Sequence, residues 1–191
     1  TGTGRAALLF GRAGSLVTGI DASEEMLRVA RARAAEETSA VTFLAGDAHK
    51  LQFPDRSFDV VVCLRVVMHS PEWNAVVKEL CRTAKDRVIL DYPSSRSVAH
   101  IQSSIRQVLH ALSVKTEPYR VFSDRTIESA LSANGFAVRA IHRQFVLPIG
   151  FHKLFGSPRL TQGVERLLDR LGFLRLFGSP VTLVAERCAL S

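Results

Sequence analysis

Short runs of apolar, often β-branched residues alternate with amphipathic stretches through the first half of the chain. Residues 16–21 (LVTGID) read as a strand. The stretch SEEMLRVARARAAEE that follows reads as a helix capped by Ser23, with Glu24 and Glu25 at its positive end. Residues 41–47 and 58–64 are again strand-like, the second an almost unbroken apolar run of the kind found in parallel strands covered on both faces, and Pro54 and Asp55 mark a turn between them. Pro71 precedes a helix predicted over 74–84, where Ala75, Val76, Val77, Leu80 and Ala84 share a face, and residues 86–93 supply the next strand. This alternation predicts an α/β fold with a parallel sheet and crossover helices.

Past residue 93 the pattern loosens. Residues 94–114 read as helical, Asp124 as the cap of a helix reaching Asn134, Gly135 as its stop, and 136–146 and 180–188 as the last strands. The segment between those strands, about 148–179, is too long for a hairpin loop. It contains KLFGSP at 153–158 and RLFGSP at 175–180, two helix ends in which Gly suits the left-handed cap and Pro blocks continuation.

At 191 residues the chain is about the size of one domain, and no apolar run approaches the roughly 18 residues that span a bilayer. Three cysteines, Cys63, Cys81 and Cys188, show neither a disulfide framework nor metal-ligand spacing, so no metal is expected and a reducing, cytoplasmic setting fits. The formal charge of +7 is scattered over the helical stretches, not gathered into the one-sided patch of a nucleic-acid binder. The opening TGTGR is a loop signature with no initiator methionine and no signal-peptide pattern, and an upstream segment is therefore expected.

Gly2 and Gly4 stand ahead of a helix, where glycine lets backbone approach a ligand and the helix amino end favours anionic groups. Gly2-x-Gly4-x-x-Ala7 followed by Asp21 also fits a dinucleotide fingerprint, which makes a dinucleotide-dependent oxidoreductase the first rival reading.

The residues after Asp21 separate the two. GTGR, VTGIDASEEML, VTFLAGDAHKLQFPDRSFDVVVCLRVVMH and ELCRTAKDRVILDY, in this order and spacing from Thr1 to about Tyr92, resemble class I S-adenosylmethionine-dependent methyltransferases of the quinone-biosynthesis-like type. The most specific piece is GDAHKLQFPDRSFDVV. The resemblance implies a doubly wound Rossmann-like sheet, mostly parallel with an antiparallel last strand, whose first strand is missing here. It treats residues 1–191 as one methyltransferase domain, with 1–92 the cofactor-binding half and 93–191 the substrate half carrying the helical insert at about 148–179. AKDR at 84–87 replaces the Lys-Pro-Gly-Gly turn common in the family.

Residue by residue, the resemblance places Gly2 and Gly4 beneath the methionine part of S-adenosylmethionine and Asp21 on the ribose hydroxyls. Ala22 would line the adenine, Asp47 would accept from its amine, the backbone at Ala48 would meet the ring, and Leu64 and Arg65 would border the sulfonium. His69 is the candidate general base or hydroxyl-orienting group, at the end of LRVVMH. Tyr119, His142 and His152 are further pocket candidates, though such residues are more often structural, and His49, His100 and His110 carry no signal beyond residue type.

Methyl transfer from a sulfonium asks the protein mainly to hold nucleophile, carbon and sulfur in line in a dry pocket. No Asn-Pro-Pro-aromatic motif follows the fourth family strand, which argues against adenine or glutamine amino groups as acceptors and leaves small-molecule or lipid-like ones. The insert interleaves Phe151, Leu154, Phe155 and other apolar residues, and His152, with Lys153, Arg159 and Arg166, a composition suited to roofing an apolar pocket or to peripheral contact with a membrane. Core packing of an added helical pair is the competing reading, and a non-catalytic or RNA-directed relative of the same fold is the remaining functional alternative.

Overall fold

A computed structural model describes residues 1–37, 40–95, 120–145 and 178–189. Its elements in chain order are α1 (Arg5–Arg12), β1 (Thr18–Asp21), α2 (Glu24–Glu36), β2 (Thr42–Ala45) and β3 (Phe58–Cys63). They are followed by α3 (Trp73–Thr83), β4 (Ala84–Tyr92), α4 (Asp124–Ala133), β5 (Phe136–Phe145) and β6 (Ser179–Arg187). The strands fall into two sheets: β1 pairs with β2 in parallel, and the others follow the order β3–β4–β6–β5. β3 and β4 are parallel, while β6 runs against both of its neighbours. The fold is therefore α/β, Rossmann-like, with an antiparallel last strand. Among the described residues β1 and β3 each pair along one edge only, and Val60 on β3 is 43% exposed.

Two apolar clusters match the helix faces. Leu27, Ala30 and Ala34 of α2, at helical spacing, close with Ala7, Leu8 and Phe43 into the smaller cluster. The larger one takes Trp73, Val76, Val77, Leu80 and Cys81 from α3 together with Val88, Leu90 and Tyr92 from β4 and Val181, Leu183 and Ala185 from β6. The Trp73 and Tyr92 rings both meet Phe122 edge-on, with centroids 5.1 and 6.3 Å away. Cys81 is the small packed residue its sequence context suggests, and burial pushes its thiol up to about 12.

Three boundaries differ from the sequence reading. AKDR is not a turn, because β4 begins at Ala84, directly after α3. Arg187 makes this abrupt junction possible: its guanidinium donates to the carbonyls of Cys81 (2.7 Å), Ala84 (2.5 Å) and Lys85 (2.9 Å), which satisfies acceptors that a turn would otherwise serve. Ser123, not Asp124, caps α4, accepting from the Thr126 amide, and the Asp124 carboxylate instead takes bonds from Tyr92 and Arg143. Ser94, expected in a helix, bridges Phe122 in extended form, and the rest of that expected helix lies outside the described residues.

The loop after β3 is fixed by a buried acid. Asp91, at the end of β4, accepts from the Arg65 amide at 2.5 Å, and Arg65 takes a left-handed backbone with φ 61°. Burial holds the Asp91 carboxyl above the usual carboxylate range, with the Arg65 amide opposing the shift. A raised acid pKa means that folding favours the protonated form, so this contribution to stability is present at low pH and lost as pH rises through the folded pKa. Asp91→Asn keeps an acceptor for Arg65 without the charge. It should melt above the parent protein at pH 7 to 8, and the difference should vanish as pH falls to about 4, near the ordinary Asp value; parallel melts across pH check this.

Gly4 tests the smaller cluster. It is left-handed, with φ 78°, and a Cβ there would lie 2.9 Å from both Ala30 Cβ and Phe43 Cζ. Gly4→Ala should cost about 2–4 kcal/mol, combining backbone strain with overpacking. A urea midpoint unchanged from the parent would refute that packing.

Candidate functional site

Asp21 ends β1 and organises the glycine loop. Its Oδ2 accepts from the Gly2 amide at 2.6 Å, and its Oδ1 accepts from the Ser23 amide at 2.9 Å. Burial alone would raise this carboxyl, but the Ser23 and Gly2 amides oppose it, and Asp21 lies below the usual range. It is therefore ionised throughout the neutral range. A carboxylate has about four acceptor positions, so these two backbone amides leave room for further donors. Gly2, with φ 56°, has no atom within 4 Å of where a Cβ would sit. The open side of Gly2, the acid at its back and exposed Ala22 beside it form a cradle with acceptor capacity, as hydroxyl recognition requires.

Asp47 stands in the loop after β2. Its Oδ1 accepts from the His49 amide at 2.9 Å and meets His49 Nδ1 at 2.6 Å, while its Oδ2 accepts no bond among the described residues. The paired imidazole and amide of His49 lower the Asp47 pKa. His49 Nε2 lies 2.7 Å from Ser70 Oγ in the loop after β3. His49, which the sequence gave no reason to single out, is thus a residue missed: its signal was only its place two positions after Asp47. Ala48 packs against the larger cluster.

The FPD stretch of the motif is held from α3. Arg82 donates to the carbonyls of Leu51 and Phe53 and to Asp55 Oδ1, and Glu79 accepts from the Leu51 amide at 2.8 Å. Glu79 and Arg82 are themselves paired, which keeps the Glu79 carboxyl below the usual range. The connection from β2 to β3 is in this way rigidly mounted.

Leu64, Arg65 and His69 follow the end of β3; all three are exposed, and the His69 amide bonds to the Val66 carbonyl at 3.0 Å. The structure therefore gathers Gly2, Gly4, Asp21, Ala22, Asp47, Ala48, Leu64, Arg65 and His69 at the carboxyl ends of β1, β2 and β3 or in the loops beside them, where ligands of open α/β sheets bind. Asp91, also unnoticed in the sequence, backs the Arg65 loop. His142 is exposed on β5, opposite Thr182. Tyr119, Phe151, His152 and Phe155 lie outside the described residues. No helix among the described residues is long and apolar enough to cross a membrane.

A methyltransferase-domain family model matches residues 1–90. The methyltransferase YcgJ of Bacillus subtilis is 36% identical over 85 residues, covering 44% of this chain and 34% of that protein. The demethylmenaquinone methyltransferase of Lactococcus lactis is 40% identical over 70 residues, covering 36% and 28%. The magnesium-protoporphyrin O-methyltransferase of Synechocystis is 29% identical over 142 residues, covering 72% of this chain and 60% of that one. Its crystal structure with bound SAH superposes with a TM-score of 0.68 at 21% identity, covering 97% and 70% of the two chains. The chain thus spans 28% to 60% of the length of these curated relatives. The glycine loop, the acids closing β1 and following β2, and the FPD-bearing connection all lie within residues 1–90, the part of the chain that matches the methyltransferase-domain family.

Proposed function

We propose that this protein binds S-adenosylmethionine at the ends of β1 to β3 and methylates a small-molecule or lipid-like acceptor with a largely apolar body. The observation that carries this reading is the pair of acids with spare acceptor capacity, Asp21 beside an open glycine and Asp47 one loop away. An adenosine presents hydroxyls at one end and an exocyclic amine at the other, and two separated carboxylates match that pattern. The cofactor supplies a methyl group already activated on a sulfonium.

The chain's own residues then have three tasks. Asp21 and the Gly2 backbone hold the ribose side, Asp47 and the Ala48 backbone hold the adenine, and the Arg65 loop, pinned by Asp91, borders the reacting end. His69, exposed next to that loop, orients the acceptor or takes its proton. Relatives that methylate a porphyrin and a demethylmenaquinone support an acceptor with an extended apolar body. The Phe- and Leu-rich segment at about 148–179 is the natural roof for such a body.

Calorimetry with S-adenosylhomocysteine and with NADH tests the cofactor reading. The homocysteine compound should bind and NADH should not, and Asp21→Ala should weaken binding by about 1–3 kcal/mol, the cost of unpaired buried hydroxyls. NADH binding alone would favour an oxidoreductase. Replacing Phe151 and Phe155 together by Ser tests the roof: methylation of an apolar acceptor should fall while cofactor affinity holds. Loss of cofactor affinity in that variant would make the segment core structure instead.

A further inference from the structure

The two sheets share no strand pairing, yet the site needs loops from both. The glycine loop, Asp21 and Asp47 belong to β1 and β2, whereas Arg65, His69 and Ser70 follow β3. One side chain joins these loops directly. His49 meets Asp47 through Nδ1 at 2.6 Å and Ser70 through Nε2 at 2.7 Å. A carboxylate only accepts, so Nδ1 carries the proton that faces Asp47. In the Nδ1–H tautomer, Nε2 is the acceptor for the Ser70 hydroxyl. Ser70 is 7% exposed, so its hydroxyl has little water to exchange for this partner. The His49 amide adds a second bond to the same Asp47 oxygen, which leaves Oδ2 without a bond among the described residues.

We propose that His49 is a positioning residue: it orients Asp47 toward the cofactor's adenine and clamps the cofactor loop to the loop that carries His69. The proposal rests on the cofactor reading given above. It makes His49 distinct from His69, which borders the acceptor, and gives the Asp47–His49–Ser70 chain a mechanical role in setting the span between the two ends of the ligand. Its stem, between Asp47 and the mounted FPD connection, has little freedom to relax if the far arm is cut.

The test is a double-mutant cycle read in affinity for S-adenosylhomocysteine. His49→Asn keeps a donor at the position of Nδ1 and removes the arm to Ser70; Ser70→Ala removes the same bond from the other side. Each variant should bind about fivefold more weakly, the weight of one polar hydrogen bond, and the double variant no more weakly than either single one. Titrations well below each variant's melting temperature separate this from unfolding. Nitrogen NMR of the parent protein's imidazoles gives a second readout, with His49 in the Nδ1–H form and shifting when Asp47 is changed to Asn. Parent-like affinity in His49→Asn, losses that multiply in the double variant, or a parent His49 in the Nε2–H form would each overturn the proposal. If the parent protein binds no S-adenosylhomocysteine, the cofactor reading falls and this one with it; if the parent binds and the variants bind equally well, only the clamp is refuted.

Discussion

The structure of the site depends on one carboxylate. Asp21 receives backbone N–H groups from both sides, Gly2 from the glycine loop and Ser23 from the start of α2. Those groups would otherwise be unpaired at a loop and a helix end. The carboxylate thereby fixes the glycine loop to the end of β1 and the start of α2. Gly4, just behind, fits against Ala30 and Phe43 only because it lacks a side chain, which seats the loop on α2 and β2. Loop, strand end and helix start form one unit.

Asp91 shows the opposite use of the same chemistry. It too ends a strand and accepts a backbone amide, but burial outweighs that single donor, and its carboxyl is held above the usual range while that of Asp21 is held below it. Two acids on neighbouring parts of one site thereby differ because one accepts from two backbone amides and the other is sunk among apolar side chains. The Asp21 arrangement favours charge and suits a group that must accept bonds from a ligand. The Asp91 arrangement suits a group whose task is to fix the left-handed Arg65 against the end of β4.

Between these strand ends the connection from β2 to β3 acts as a frame. Glu79 and Arg82 of α3 fasten its middle, and His49 fastens its start to Ser70. Arg187 plays the same part at the far end of α3, closing carbonyls so that β4 follows with no turn. In each case a charged or polar side chain from one element serves backbone or loop groups of another. Arg82 and Arg187 are tied in this way to specific structural partners.

The sequence alone determined most kinds of element and their order, because burial periodicity and turn residues are local properties: a strand within 58–64 and the Ser23 cap stand as expected, although β3 is not covered on both faces, Asp59 and Val60 being exposed. It also marked Gly2, Gly4, Asp21 and Asp47, since their spacing around strands is itself a chain property. Tertiary structure decided the rest. His49 and Asp91 were silent in the sequence because their meaning lies in partners 21 and 26 residues away, Ser70 and Arg65. The replacement of the expected turn at Ala84 depended on Arg187, 103 residues distant. Asp124 was read as a cap from its neighbours, but Ser123 caps and Asp124 serves Tyr92 and Arg143, 32 and 19 residues away. Local pattern sets what a segment can be; which polar group meets which is fixed only when packing brings distant strand ends together and removes the water that would otherwise have served them.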